Sequence, residues 1–224
     1  MSAQRLRCTR CTRPLAHCLC DQVNVVEHRT RILVLQHPDE QSHPFNTARL
    51  AVMSLAYAQC RVGEVFPELP DLLAQSQHPA LLFPGPHAVD PAQWGPLRTR
   101  PEPATDENDG NTTIVTAKPP DLLIVPDGTW RQAGRLVRTN LVLHTLPRLC
   151  LPPGEPSAYQ IRRTHRPGAI STLEAIVRTL SALEPDTDLQ PVIALFEQMI
   201  ASQVQAQQRG QDNRNRVANR CNAS

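Results

Sequence analysis

Residues 122–136, LLIVPDGTWRQAGRL, constrain the fold more than any other stretch of the 224-residue chain. Four apolar residues in a row read as a short buried strand, and Asp127-Gly128 reads as a turn at its carboxyl end. Trp130, Ala133, Leu136 and Val137 then recur at helical spacing, so the turn opens a helix. Open α/β folds take their ligands beyond the carboxyl ends of their strands. A strand, a sharp turn and a helix in that order therefore mark a candidate site.

The rest of the chain supports the same fold class. RILVLQH (31–37) is a strand candidate, and residues 46–60 are read as one helix behind an Asn46 cap, with Leu50, Met53, Ala56 and Tyr57 on one face. RVGEVF (61–66), ALLFPG (80–85) and LPRLCLP (146–152) are further strand candidates, around a helix or loop at 71–78. STLEAIVRTLSALE begins with a capping box, Ser171 to Glu174, and carries Leu173, Ile176, Val177 and Leu180 on one face. A last amphipathic helix from Pro191 fades by Gln207 into a basic tail. Strands alternating with helices predict an α/β fold with a mostly parallel sheet. The expected organisation is a small cysteine-bearing knuckle at 1–25, a catalytic domain at 26–208 with a flexible insertion near 99–120, and a disordered tail at 209–224.

Every long apolar run is strand-sized, too short to span a membrane. The amino terminus lacks the apolar segment of a secretory signal, so a cytoplasmic, reducing location is expected. Net charge is only +2, yet the two ends are basic. Arg5, Arg7, Arg10 and Arg13 face no acid, and Arg209, Arg214, Arg216 and Arg220 face only Asp212. Such ends suit a polyanion, although a chain whose single lysine is Lys118 also has a general preference for arginine.

Cys8, Cys11, Cys18 and Cys20 are spaced C-x2-C-x6-C-x-C. Four thiolates that close together complete a tetrahedral site with no open position, which makes a bound zinc structural. An iron–sulfur cluster uses the same ligands; zinc is the reading favoured. Cys60, Cys150 and Cys221 are scattered and read as inert. P-loop, dinucleotide-binding and zinc-protease motifs are all missing from the sequence.

Several segments in order, from the cysteine block through LQHPDEQSHPFNTARL, LLFPGP, LLIVPDGTWRQAGRL and YQIRRTHRPGAISTLEA, resemble the DTW-domain family of tRNA-uridine aminocarboxypropyltransferases. The namesake Asp-x-Thr-Trp is present as Asp127, Thr129 and Trp130. The resemblance implies a SPOUT-like fold with a carboxyl-terminal knot. It also implies transfer of the 3-amino-3-carboxypropyl group of S-adenosylmethionine to N3 of a tRNA uridine, favouring the variable-loop uridine, with release of methylthioadenosine.

Under that resemblance the catalytic candidates are Asp127, Thr129 and Trp130. Asp127 is a general base or a turn carboxylate, Thr129 a ligand contact or a helix cap, and Trp130 a stacking platform or a core residue. Cofactor contacts are expected from Leu82, Phe83, Pro84, Gly85, Pro126, Asp127, Gly128, Ile161, Gly168, Ser171 and Thr172. RNA contacts are expected from Arg49, Arg131, Arg135, Arg162, Arg163, His165 and Arg166, with Arg138 on the same helical face as Arg131 and Arg135. His37 and Glu40, leaving a strand, either bind or cap. The partners implied are tRNA and S-adenosylmethionine, with no obligate protein partner. The rival readings are a SPOUT-type RNA methyltransferase and a non-catalytic zinc-knuckle RNA-binding protein.

Overall fold

The computed structural model describes residues 6–43, 46–94, 118–153, 157 and 170–221, with side chains to Arg209. Five strands form one sheet, β1 (Arg31–Gln36), β2 (Ala58–Val62), β3 (Pro79–Leu82), β4 (Leu122–Asp127) and β5 (Arg148–Leu149). Their spatial order is β2-β1-β4-β3-β5, and every pairing is parallel. The helices are α1 (Pro38–Gln41), α2 (Thr47–Ser54), α3 (Leu69–Ala74), α4 (Trp130–Thr139), α5 (Thr172–Leu183) and α6 (Gln190–Cys221).

The central strands are apolar throughout because helices cover both faces of the sheet. Ile32 and Val34 of β1 and Leu123 and Val125 of β4 pack into the core that holds α2, α5 and α6. Their neighbours Leu33, Leu35, Leu122 and Ile124 enter the opposite core with α3 and α4. Successive side chains of a strand point to opposite faces, so one apolar run supplies both cores. The expected α/β class with a parallel sheet is what forms. Among the described residues, no helix is long and apolar enough to cross a membrane.

The largest local correction falls on residues 46–60. Asn46 does cap α2, accepting from the Arg49 backbone N–H at 2.8 Å, but the helix ends at Ser54. There the Ser54 carbonyl accepts from Val26 N–H at 2.9 Å, and Ala56 N–H donates to the Val26 carbonyl at 3.0 Å. These bonds turn the chain into an extended path, and residues 58–62 join β1 as an edge strand. Met53 is therefore only half-buried, and Tyr57 is exposed. The strand expected at 61–66 lies three residues earlier, and that expected at 146–152 shrinks to two residues.

At the far end α6 continues to Cys221, where the tail from 209 was expected to be disordered. Arg and Asn dominate that stretch, Gly210 is its only glycine and it holds no proline, so no strong breaker stops the helix. Most of the insertion near 99–120 lies outside the described residues.

Candidate active site

The strand order sets the carboxyl ends of β1, β4, β3 and β5 side by side, with Gln36 opposite Asp127 in register. From β1 the chain next goes outward to β2, whereas from β4 it next reaches β5 on the opposite flank. Connections that diverge in this way leave a crevice at the strand ends, where open parallel sheets take ligands.

Gly128 makes the exit from β4 possible. Its φ of 154° is one that residues with a Cβ rarely adopt, and an added Cβ would stand 2.9 Å from Gln132 Cβ. Thr129 then caps α4 in a capping box with Gln132. Of the two readings for Thr129, the structure shows the cap. Asp127 is not the cap of this helix. Its carboxylate is buried, with Oδ2 accepting from Gln36 Nε2 at 2.8 Å and Oδ1 accepting from the Thr172 hydroxyl. One carboxylate thus joins β1, β4 and the first turn of α5. Trp130 is 42% exposed, so it is not a core residue; its ring lies 6.2 Å from that of Phe83 at 49°.

Beside this joint is a cavity of about 400 Å3. Its wall contains eight residues singled out by the sequence, namely Leu82 ending β3 with Phe83 and Pro84 after it, Pro126 within β4 with Gly128 and Trp130 beyond it, and Ser171 and Thr172 opening α5. Gly85 and Asp127 are not in the wall as described, and Ile161 and Gly168 lie outside the described residues. Sequence reasoning missed Leu149, which ends β5, Cys150 to Pro153 after it, and Ala175 and Arg178 on α5. The first group had a signal, since it leaves a strand at the same sheet edge. The second steps by threes from Thr172 along one side of the helix. Cys150, read as inert from its isolation, stands in this wall. Arg178 is the one charged residue among the described wall residues.

Around the joint, other polar side chains hold elements together. His37 caps α1, accepting from Asp39 N–H, and its Nε2 lies 3.1 Å from Glu64, which also pairs with Arg135 at 2.8 Å. Glu40 is buried. Arg49 reaches the Thr12 hydroxyl and the Gln41 carbonyl, so its guanidinium ties the cysteine block to the α1–α2 turn. Arg131, Arg135 and Arg138 are exposed on α4. Arg162, Arg163, His165 and Arg166 lie outside the described residues. Burial and the charge of Asp127 push the Cys60 thiol up to about 11, leaving it protonated.

At the amino end, the sulfurs of Cys8, Cys11, Cys18 and Cys20 all lie within 4.8 Å of one another. Cys8 and Cys20 are 3.6 Å apart, and Cys11 and Cys18 are 3.8 Å apart. A tetrahedron with zinc–sulfur bonds of about 2.3 Å has edges of about 3.8 Å. Backbone N–H groups of Cys11 and Arg10 hold the Cys8 thiol down to about 6, whereas burial and the neighbouring sulfurs push the Cys20 thiol up, so the fit to a metal rests on the geometry of the four sulfurs. The residues present therefore fit a metal ion, and all four sulfurs would be used in holding it.

An all-parallel sheet with a cavity across its strand ends, and a separate block of four cysteines that could hold a metal, define the class of this protein as a parallel α/β fold with a four-cysteine knuckle. The family model for the DTW domain matches residues 5–204, and the chain belongs to that family. It is 28% identical over 200 residues to tRNA-uridine aminocarboxypropyltransferase 2 of Drosophila melanogaster, covering 85% of this chain and 71% of that protein. It is 26% identical over 198 residues to the Mus musculus protein of the same name, covering 85% of this chain and 60% of the mouse one. With tRNA-uridine aminocarboxypropyltransferase A of Arabidopsis thaliana it shares 25% over 230 residues, covering 89% and 81% respectively. No solved structure matches the chain.

Proposed function

We propose that this protein transfers the 3-amino-3-carboxypropyl group of S-adenosylmethionine to N3 of a tRNA uridine, with methylthioadenosine as the second product. The observation that carries the reading is convergence. Segments from three separate parts of the chain, 82–84, 126–130 and 170–172, border one cavity at the sheet's carboxyl edge. A volume of about 400 Å3 is within the ordinary range for a small-molecule site, and the mostly apolar wall suits a nucleoside. The names of the relatives in fly, mouse and plant support the reaction class.

In this reading Leu82, Phe83, Pro84, Pro126 and Gly128 surround the donor, together with Ile161 and Gly168 from the segment before α5. The exposed ring of Trp130 offers a stacking surface to a base. The imide N3 of uridine carries a proton that must leave as the new bond forms, and Asp127 is the carboxylate assigned to it. Which carbon of the sulfonium is attacked is a matter of positioning, since the side-arm methylene instead of the methyl must face N3. The basic residues Arg131, Arg135 and Arg138, with Arg162, Arg163, His165 and Arg166, are assigned to tRNA phosphates. Arg49, already engaged with Thr12 and Gln41, is a weaker member of that set. Zinc on the four cysteines is structural, the variable-loop uridine is the favoured target, and the knot expected near the carboxyl end belongs to the same reading.

The test is to incubate purified protein with S-adenosylmethionine and unmodified tRNA, then analyse both products. Methylthioadenosine with an aminocarboxypropyl-uridine is the expected pair. S-adenosylhomocysteine with a methylated nucleoside would replace this reading by a methyltransferase, and tRNA binding with no change in mass would leave a binding protein.

A further inference from the structure

The hydrogen bonds around Asp127 have a fixed direction, and the direction starts at a backbone amide. Asn46 Oδ1 accepts from the Arg49 N–H at 2.8 Å, while Asn46 Nδ2 donates to the Glu40 carbonyl at 3.0 Å. Neither backbone group can reverse its role, so Asn46 Oδ1 is an acceptor. Gln36, 3.2 Å away, must therefore present its NH2 group to Asn46. A second proton of that NH2 points at Asp127 Oδ2 across 2.8 Å. Oδ2 is thereby an acceptor as well. Oδ1 faces the Thr172 hydroxyl, and a hydroxyl can turn from donor to acceptor. A proton arriving at Asp127 is consistent with this network on Oδ1.

Position completes the argument. Asp127 is 7% exposed and is not among the described wall residues of the cavity, whereas Thr172 is in the wall. Thr172 thus borders the cavity and also holds the carboxylate.

We propose that Thr172 is the catalytic hydroxyl through which Asp127 takes the proton of the acceptor, a role that rests on the function proposed above. The imide N–H gives its proton to Thr172 Oγ1 as the hydroxyl proton passes to Asp127 Oδ1. The electron pair freed at N3 forms the bond to the side-arm methylene, and the carbon–sulfur pair leaves with sulfur. A sulfonium cation and a carboxylate become a neutral thioether and a neutral carboxylic acid, which returns its proton to solvent after product release. Gln36 and Asn46, both buried, are positioning residues that keep Oδ1 turned to Thr172.

The experiment compares Thr172→Val, Thr172→Ser, Asp127→Asn and the Thr172→Val/Asp127→Asn pair in full-length protein. Asp127→Asn suits the same network, because its amide oxygen can accept from Gln36 while its NH2 donates to Thr172 Oγ1. Affinity for S-adenosylmethionine, measured by calorimetry without tRNA, is expected to stay within about threefold in every variant. Turnover at saturating substrates should fall ~100-fold or more for Thr172→Val and Asp127→Asn and survive in Thr172→Ser. The double variant should be no slower than Asp127→Asn, since both changes cut one path. Near-normal turnover in Thr172→Val, losses that multiply in the double variant, or a loss confined to S-adenosylmethionine affinity would each overturn the relay. A readout independent of turnover is the carbon-detected NMR titration of the Asp127 carboxyl. Removing either donor, by Gln36→Leu or Thr172→Val, should raise its pKa. A pKa unmoved by both removes the network whatever the reaction, whereas wild-type protein that makes no methylthioadenosine removes the proposed function, and the relay's role with it, while a moved pKa still shows the network.

Discussion

The β1–β4 joint and the cysteine block are held by opposite means. Every residue of β4 is buried, and Asp127 within it is oriented by side chains of β1 and α5. Between residues 6 and 22 only Cys11, Arg13 and Leu19 are buried. So short a segment has no core of its own, and four sulfurs able to hold a metal stand together where a core would be. It meets the body through Leu19, which enters the core shared with α2, α5 and α6, through the Thr12–Arg49 bond and through the 3.0 Å contact of His17 with Ser202 on α6. Packing makes the first region precise; the second presents a set of ligands.

The largest expected effect is therefore on the block. Chelation, or Cys11→Ser, should release about one zinc per chain, a ligand worth ~10–16 kcal/mol of apparent binding energy in small structural sites. Proteolysis should then cut within residues 1–25 while the circular dichroism of the sheet and helices persists. Loss of the whole fold with the metal would break the distinction and make the block part of one cooperative unit.

A smaller effect is expected at the turn. Gly128→Ala should lower stability by about 1–3 kcal/mol, through a φ that alanine resists and a contact with Gln132. Denaturant unfolding measures it. A neutral result would show that the exit from β4 yields, against the rigidity claimed for the joint.

The smallest effect concerns pH, and it too belongs to the packed body. Glu184 is fully buried and accepts from Thr30 N–H at 2.6 Å and Arg29 N–H at 2.9 Å, pinning the chain before β1. Burial alone would raise its pKa, but these N–H groups outweigh it and hold the carboxyl below its ordinary value. A group depressed in this way stabilises the fold above its unfolded pKa, near 4.5, and loses that contribution as pH falls through the folded value. Burial also lowers the pKa of His28, whose Nε2 accepts from Tyr57 N–H, so its contribution starts to fade below about 6.5. Thermal midpoints should thus decline on the acid side in two stages. Glu184→Gln should flatten the lower stage and leave metal retention at neutral pH unchanged. An unaltered lower stage would remove Glu184 from the account.

Much of this was legible in the sequence, because it depends on neighbours. The strand–turn–helix at 122–136, the caps at Asn46 and Ser171 and the cysteine spacing are local patterns, and local steric and hydrogen-bonding rules suffice to read them. The glycine of the turn belongs with them, since one φ angle requires it. Residues 55–60 do not, for their apolar spacing suits a helix and only pairing with Val26 and β1 makes them extended. The partners of Asp127 also waited for the tertiary structure. Gln36 lies 91 residues away and Thr172 lies 45 away, and sequence spacing carries no record of which strand ends become neighbours. Strand order decides that, through long-range pairings that compete with local preference and win by burying both faces of the sheet. The sequence by itself determined which local elements form; the tertiary structure decided which of their side chains meet, because a hydrogen bond depends on distance in space and a periodic pattern depends only on distance along the chain.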